Sequence, residues 1–178
     1  MARRFRHNRN KRTTVLTVIW SLFIAAIAAA ILIFVQGGYL HAWLLSILVG
    51  ITALYILSIP RRITVDESNL EIQCVVELTR IDIRDIRSIR KVSPNEYHYL
   101  FPVLGSFGFF GFYGYYLNFK GWDMVKVYAG EWAHLVEIID IYEQTYIVSC
   151  READELIESV MQVKLLHTGK KSEKILSV

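Results

Sequence analysis

Neither of the two longest apolar runs in this chain, Thr14 to Val35 and Tyr39 to Ile59, contains an Asp, Glu, Lys or Arg. Ionisable side chains within a membrane span usually mark an ion path or proton relay. Without them, a transporter or channel subunit survives only as a reading in which the spans assemble a pore in oligomers. Cysteine is also scarce. Cys74 and Cys150 are too few and too far apart for a zinc knuckle or a disulfide scaffold, and they read as two free thiols in a reducing compartment. The five histidines (His7, His41, His98, His134 and His167) show neither an HxxxH spacing nor a neighbouring Cys pair, so no metal ligand set is expected. Asp66 with Glu67 and Asp154 with Glu155 read as turn and helix-surface pairs. No catalytic constellation and no cofactor motif emerge, and the expectation is a protein that is not an enzyme.

What is present is length. Each apolar run exceeds 20 residues, and at 1.5 Å per residue that reaches roughly 30 Å, the thickness of a bilayer core. Only Gln36, Gly37 and Gly38 separate the runs, so the chain is expected to cross, turn tightly and return. The short connection carries no Lys or Arg, whereas Arg3, Arg4, Arg6, Arg9, Lys11 and Arg12 precede the first run and Arg61 and Arg62 follow the second. Basic flanks stay in the cytoplasm, which predicts a multi-pass protein of the cytoplasmic (inner) membrane with both termini cytoplasmic. Ala26-Ile27-Ala28 looks like a signal-peptidase triplet, but it lies mid-run, followed by Ile31 to Val35 instead of a polar boundary. Small residues at Ala25 to Ala30 and at Ser46, Gly50 and Ala53 are expected to let the helices approach closely.

The net charge of +3 hides an asymmetry. The first twelve residues carry six cations, and the tail from Thr168 to Val178 carries Lys170, Lys171 and Lys174 against Glu173. Between Pro60 and His167, eleven Lys/Arg face sixteen Asp/Glu, a net of −5. Orientation at a membrane explains the N-terminal cations, which at about 1 kcal/mol each can also hold their segment on anionic lipid, so nucleic acid is not expected as a partner.

The segment after Pro60 reads mostly as strands. Ile63 and Val65 alternate with polar neighbours, Asp66 to Asn69 is a turn, and Leu70 and Ile72 resume the alternation. Val76, Leu78, Ile81 and Ile83 suggest a third strand, after which the spacing loosens through Ile86, Ile89 and Val92. Met124 to Tyr128, Leu135 to Ile141 and Thr145 to Val148 are further candidates. Ser149 and Glu152 have capping-box spacing before a helix. On it, Ala153, Leu156, Ile157, Val160 and Met161 form the apolar stripe, with Glu155, Glu158 and Ser159 outside.

"ITVDESNLEI", "IDIRDIRSIRKV", a Gly/aromatic segment, "VKVYAG" and "TYIVSCREADELIESV" follow one another in an order that resembles the bacterial pleckstrin-homology-like domains, over roughly residues 61 to 165. The likeness is to small membrane-anchored members whose soluble part follows a transmembrane hairpin. Cys150 stands where the family often has proline, and Pro102-Val103-Leu104 stands where a basic residue often precedes the first glycine. The resemblance implies a barrel-plus-helix binding module with no catalytic role. The expected fold is therefore a two-helix transmembrane hairpin followed by a mainly-β barrel closed by one C-terminal helix. Its parts are a basic segment (1–13), the hairpin (14–59, helices about 14–35 and 39–59), the cytoplasmic domain (60–167) and a basic tail (168–178).

Two stretches are candidates for lipid or partner binding. Gly105, Gly108, Gly111 and Gly114 recur every third residue among Phe109, Phe110, Phe112 and four other aromatics. No GK[ST] ending or opening helix accompanies them, which excludes a phosphate-cradling loop. The aromatics either pack on the barrel or on the second span, dip into the bilayer interface, or meet a protein partner. Arg84, Arg87, Arg90 and Lys91 form the only basic run of the acidic domain, interleaved with Asp82 and Asp85. It is either a self-compensating solvated face or a grip for an anionic lipid headgroup. The acidic balance favours protein partners, in a membrane-tethered interaction module that docks a membrane protein or forms a homo-oligomer, over anionic lipid.

Overall fold

The computed structural model describes residues 3–6, 11–35, 39–75 and 78–176, except the side chains of Arg6 and of residues 168–176. The expected turn Gln36–Gly38, the strand position Val76, the cation Arg9 and the charges of the basic tail lie outside what is described.

The apolar runs form two helices, α1 (Lys11–Phe34) and α2 (Leu40–Leu57). At 1.5 Å per residue they extend about 36 and 27 Å, and both are long and apolar enough to cross a membrane, with none of their apolar windows buried in the protein. Partly buried positions fall on one stripe of each, Ile24, Ile27, Ala28 and Ile31 on α1 and Leu44, Leu48, Thr52 and Tyr55 on α2, which is where the helices and the domain face one another. Gly50 lies off that stripe. A Cβ there would meet nothing within 4 Å, so this small residue does not bring the helices together as expected.

Ten strands follow the alternation of the sequence, with additions. A four-stranded antiparallel sheet has the order β1 (Arg3–Arg6), β2 (Pro60–Val65), β3 (Asn69–Cys74), β4 (Leu78–Asp82). A six-stranded sheet is built from β5 (Ile86–Val92), β6 (Leu100–Phe107), β7 (Phe112–Asn118), β8 (Asp123–Ala129), β9 (Leu135–Asp140) and β10 (Thr145–Ser149), in the order β5-β9-β10-β8-β7-β6. The β8–β10 ladder is parallel and the rest are antiparallel. A 3₁₀ turn at Ile83–Asp85 separates the sheets, so the third strand stops at Asp82. Among the described residues the ladders form two open sheets, and none links them into a closed barrel.

The strand that most constrains the architecture is β1. Phe5 lies opposite Ile63 and Arg3 opposite Val65, so the segment before α1 pairs with the strand that follows α2. Both outer ends of the helical pair are thereby tied to one sheet. Phe5 is buried, and the Arg3 Nη1 donates to Ser159 Oγ at 3.0 Å. This segment is part of the domain's sheet, not a free basic arm, because its apolar residue finds a place in the core.

Two apolar clusters occupy the two faces of the larger sheet. On one, Phe5, Ile63, Leu70, Ile72 and Ile81 of the small sheet meet Val136, Ile138 and Val148 and the helix α3 (Ala153–Leu176). On the other, Leu100, Phe112, Tyr116, Val125, Val127, Leu135 and Ile147 are covered in part by Leu16 of α1 and by Trp132. With both faces covered, β10 is buried at every position. Cys74 and Cys150 are buried thiols of the first cluster, and burial pushes the Cys150 thiol up, away from reactivity.

Helix α3 buries Ala153, Leu156 and Val160 as its stripe requires, but three details differ from the sequence pattern. Ser149 ends β10, and its hydroxyl accepts from Gly130 N at 2.9 Å, while the helix opens only at Ala153, beyond the expected start after Ser149. Ser159, expected outside, is buried under β1, whereas Met161 of the expected stripe is exposed. The helix also continues to Leu176, through the residues expected to be a tail.

Candidate functional site

The Gly/aromatic segment is a β-hairpin. β6 and β7 pair from Leu100–Asn118 to Phe107–Phe112, with Gly105 opposite Gly114. The tip is turned against α1. Trp20 Nε1 donates to Phe107 O at 3.1 Å, Phe110 N donates to Thr17 Oγ1 at 2.9 Å, and a Cβ on Gly108 would strike Leu16. Phe109 and Phe112 are 8% and 6% exposed, and Phe110 is half-buried, its ring edge-on to Phe109. Phe112 also packs against Trp132 at 5.1 Å between centroids. These three rings face the protein, against the first helix and the second apolar cluster.

The exposed rings of this region are others: Phe101, Phe107, Tyr115, Phe119 and Trp122. Phe119 lies 6.1 Å from Phe101 and 5.9 Å from Trp122, in a Phe119-Lys120-Gly121-Trp122 turn between β7 and β8. Aromatic rings beside a lysine in a turn are the signal in the sequence that marks them, since that pairing suits a headgroup-level position.

The basic run is paired along its length. Arg84 holds Asp82 at 2.5 Å, Arg87 lies 3.6 Å from Glu143, and Lys91 meets Asp154 at 2.7 Å. Arg90 bridges Glu96 at 2.9 Å and the buried Glu137, the residue opposite it in the β5–β9 ladder. Glu137 also accepts from the Tyr97 hydroxyl. The Arg84 guanidinium holds the Asp82 carboxyl below its usual range. Strand order places this run far from the aromatic hairpin. β5 and β6 are opposite edges of one six-stranded sheet, five inter-strand steps or about 24 Å apart along it. The two sets of candidate residues therefore do not converge.

What the fold does bring together is the aromatic hairpin and the two helices. Two adjoining cavities, of about 380 and 510 Å³, lie between them. The first runs along Trp20, Ile24, Ile27, Leu48 and Pro102 to Phe107. The second lies among Ile51, Leu54, Tyr113, Tyr115 and Lys126. Among the described residues, neither is lined by an Asp or Glu. Lys126, central in β8, sits over the rings of Tyr115 and Tyr146 at 5.4 and 5.6 Å. Nothing in the local sequence singled it out, because its setting depends on three strands and a helix. Among the described residues, no group of three or more His, Cys, Asp or Glu is placed to hold a metal ion.

Phenols around the hairpin give the site a pH signature. Tyr113 donates to Tyr55 O at 2.6 Å and Tyr116 donates to Ser106 O. Burial pushes Tyr113 up to about 12, and pushes Tyr116, Tyr97 and Tyr146 up as well. A phenol neutral in both states contributes nothing below about pH 10. Above it, the unfolded chain loses the proton first, so stability falls from about pH 10 toward the folded value, by up to ~1.4 kcal/mol per pH unit for each group. Absorbance at 295 nm, compared in the chain and in Tyr→Phe variants of these four, is expected to show them ionising only together with unfolding. Their ionisation near pH 10 with the fold intact would contradict it.

Compared with known proteins, residues 61–164 match the family described as bacterial PH domain. Neither the curated proteins nor the solved structures gave a match. The matched stretch runs from β2 into α3 and takes in every strand except β1. It also covers more than half of the chain, and we therefore conclude that this protein belongs to the bacterial PH domain family, whose members are generally non-catalytic binding modules.

Proposed function

We propose that the chain is a membrane-anchored, non-catalytic binding module. In this reading α1 and α2 span the cytoplasmic membrane as a hairpin with both helix flanks on the cytoplasmic side, and the PH domain faces that side with its β6–β7 hairpin laid along the helices. The observation that carries it is the β1–β2 ladder: a strand before the first helix and a strand after the second share one sheet, which a hairpin permits and a single crossing does not. The basic flanks Lys11, Arg12, Arg61 and Arg62 support the cytoplasmic side.

The domain serves protein–protein interaction or self-assembly at the membrane. Two features support a protein partner over headgroup recognition by the basic run. Each of Arg84, Arg87, Arg90 and Lys91 is occupied by a carboxylate, and the strand that bears them is the sheet edge away from the helices. The apolar outer faces of α1 and α2, with Leu22, Leu32, Trp43 and Val49 exposed, offer a second copy or a membrane protein a surface within the bilayer.

The test is labelling of single cysteines placed at Tyr39 and at Gly121 in inverted and right-side-out membrane vesicles, on a background in which both native thiols are serine. Gly121 is expected to react only from the cytoplasmic face and Tyr39 only from the other. Reaction of both from one face, or release of the chain by carbonate, would remove the reading. In-membrane crosslinking that yields neither a homo-oligomer nor a second protein would remove its interaction half.

A further inference from the structure

We propose that the cleft between the helical hairpin and the β6–β8 wall holds one anionic phospholipid, with an acyl chain along Ile51, Leu54 and Leu104 and the phosphate at Lys126. This rests on the reading that α1 and α2 span a membrane. The two cavities share Ile51, Tyr55, Leu104 and Gly105 in their linings and lie side by side along the cleft. Each falls in the ~300–1,000 Å³ range of small-molecule sites.

Depth decides what can fill the cleft. Ile27 lies sixteen residues along α1 from Lys11, about 24 Å of helix, so the first cavity reaches the middle of the span. An apolar space at that depth is filled by lipid or left void, and a void forfeits the dispersion contacts of its lining. The second cavity extends from Ile51 past Leu54 to Ser58, at the end of α2, where headgroups would lie, and Lys126 is among its lining residues. The wall is recessed because Gly105 and Gly114 face each other without side chains.

Charge selects the headgroup. Lys126 has two aromatic rings beside it and no ion pair with a described residue, and no carboxylate among the described residues lines the cleft. That setting complements a phosphate carrying net negative charge more than a zwitterion. A second copy of the chain is a poorer occupant. The outer edge of β6 carries Pro102, a register shift between Pro102 and Leu104, and the Trp20 bond to Phe107 O, all of which obstruct strand addition.

The experiment uses the full chain in nanodiscs of equal phosphatidylglycerol and phosphatidylcholine, with retained lipid counted by native mass spectrometry after carbonate extraction of the source membranes. One phosphatidylglycerol is expected to be retained in preference. Lys126→Gln is expected to lower that preference about fivefold, the worth of one cation near an anionic surface, with an unchanged melting temperature. Leu104→Trp, which fills the cleft, is expected to abolish retention of both lipids, and joint replacement of Arg84, Arg87 and Arg90 by Gln is expected to change nothing. Equal retention of the two lipids, or a preference that ignores Lys126→Gln and follows the arginines, would overturn the proposal. A chain that resists carbonate yet carries no lipid overturns the cleft alone. A chain released by carbonate overturns the spanning reading beneath it.

Discussion

Replacing Gly114 by alanine is expected to lower the stability of the domain by about 4 kcal/mol, from ~1–3 kcal/mol of backbone strain and ~1–3 kcal/mol of overpacking. Gly114 has φ +113°, a conformation that L side chains rarely adopt, and it lies opposite Gly105, whose φ is +147°. A Cβ on Gly114 would stand 2.2 Å from Leu104 O and 2.6 Å from Gly105 Cα. Both obstacles are backbone, so no side-chain rotation relieves them, and the strands must separate or the ladder must slip. A loss of that size is a large share of the ~5–15 kcal/mol that holds a typical domain together. Thermal unfolding of the full chain in detergent, followed by near-UV circular dichroism, is expected to show a fall in Tm of at least ~15 °C. Gly50→Ala is the control, since its Cβ meets nothing. A melting temperature for Gly114→Ala close to that of Gly50→Ala would show that β6 and β7 do not approach as described.

The same glycines show how far the sequence could be read. Strands with one buried face were legible as alternation: Ile63 and Val65, and Leu70 and Ile72, fall where the pattern puts them, as do Ala153, Leu156 and Val160 of the α3 stripe, though not Met161. The strands β8 to β10 were legible as apolar runs, and the helices as uncharged length. β6 and β7 were not, because a glycine at every third position breaks a period of two and strips β propensity from the segment. Cross-strand pairing explains Gly105 and Gly114, and packing against Leu16 explains Gly108; neither is a local property. β5 was blurred for a related reason. As an edge strand it shows Arg87, Ser88, Arg90 and Lys91 to solvent, and only Ile86 and Val92 are fully buried.

The candidate site divides in the same way. The interleaved acids of Asp82-Ile83-Arg84-Asp85 hinted at a self-compensating face, and local pairing of Arg84 with Asp82 is what the fold contains. The partners of Arg90 and Lys91, Glu137 and Asp154, lie 47 and 63 residues away in sequence. No local reading of the run reaches them. Lys126 was invisible for the opposite reason. It is a lone cation in an apolar strand, and it acquires meaning only when Tyr115, Tyr146 and α2 are assembled around it.

Phe5→Ala is expected to destabilise the folded chain by about 3 kcal/mol, the lower end of the range for a buried aromatic, since an edge strand can relax around the gap. The N-terminal segment has two accounts, lipid attraction from its sequence and strand β1 from the fold, and this variant separates them. If its arginines hold the segment on lipid, the attraction is about 1 kcal/mol per cation and Phe5 is a bystander. If the segment is β1, Phe5 is its anchor: it is buried opposite Ile63, and it shares a core with Leu70, Ile72 and Leu156. The β1–β2 ladder bonds and the Arg3 contact to Ser159 then depend on it, because a four-residue edge strand cannot stay paired without a buried side chain. Trypsin is the direct probe, since β1 contains Arg3, Arg4 and Arg6. Cleavage there is expected to be slow in the unaltered chain and at least tenfold faster in Phe5→Ala, whether or not anionic lipid is present. Protection that survives Phe5→Ala but vanishes in neutral lipid would instead make the segment a membrane-bound arm, and would remove the ladder on which the hairpin topology is argued. Protection lost in both lipids would leave the domain closing its own sheet around the anchor, with the helices as an insertion between β1 and β2.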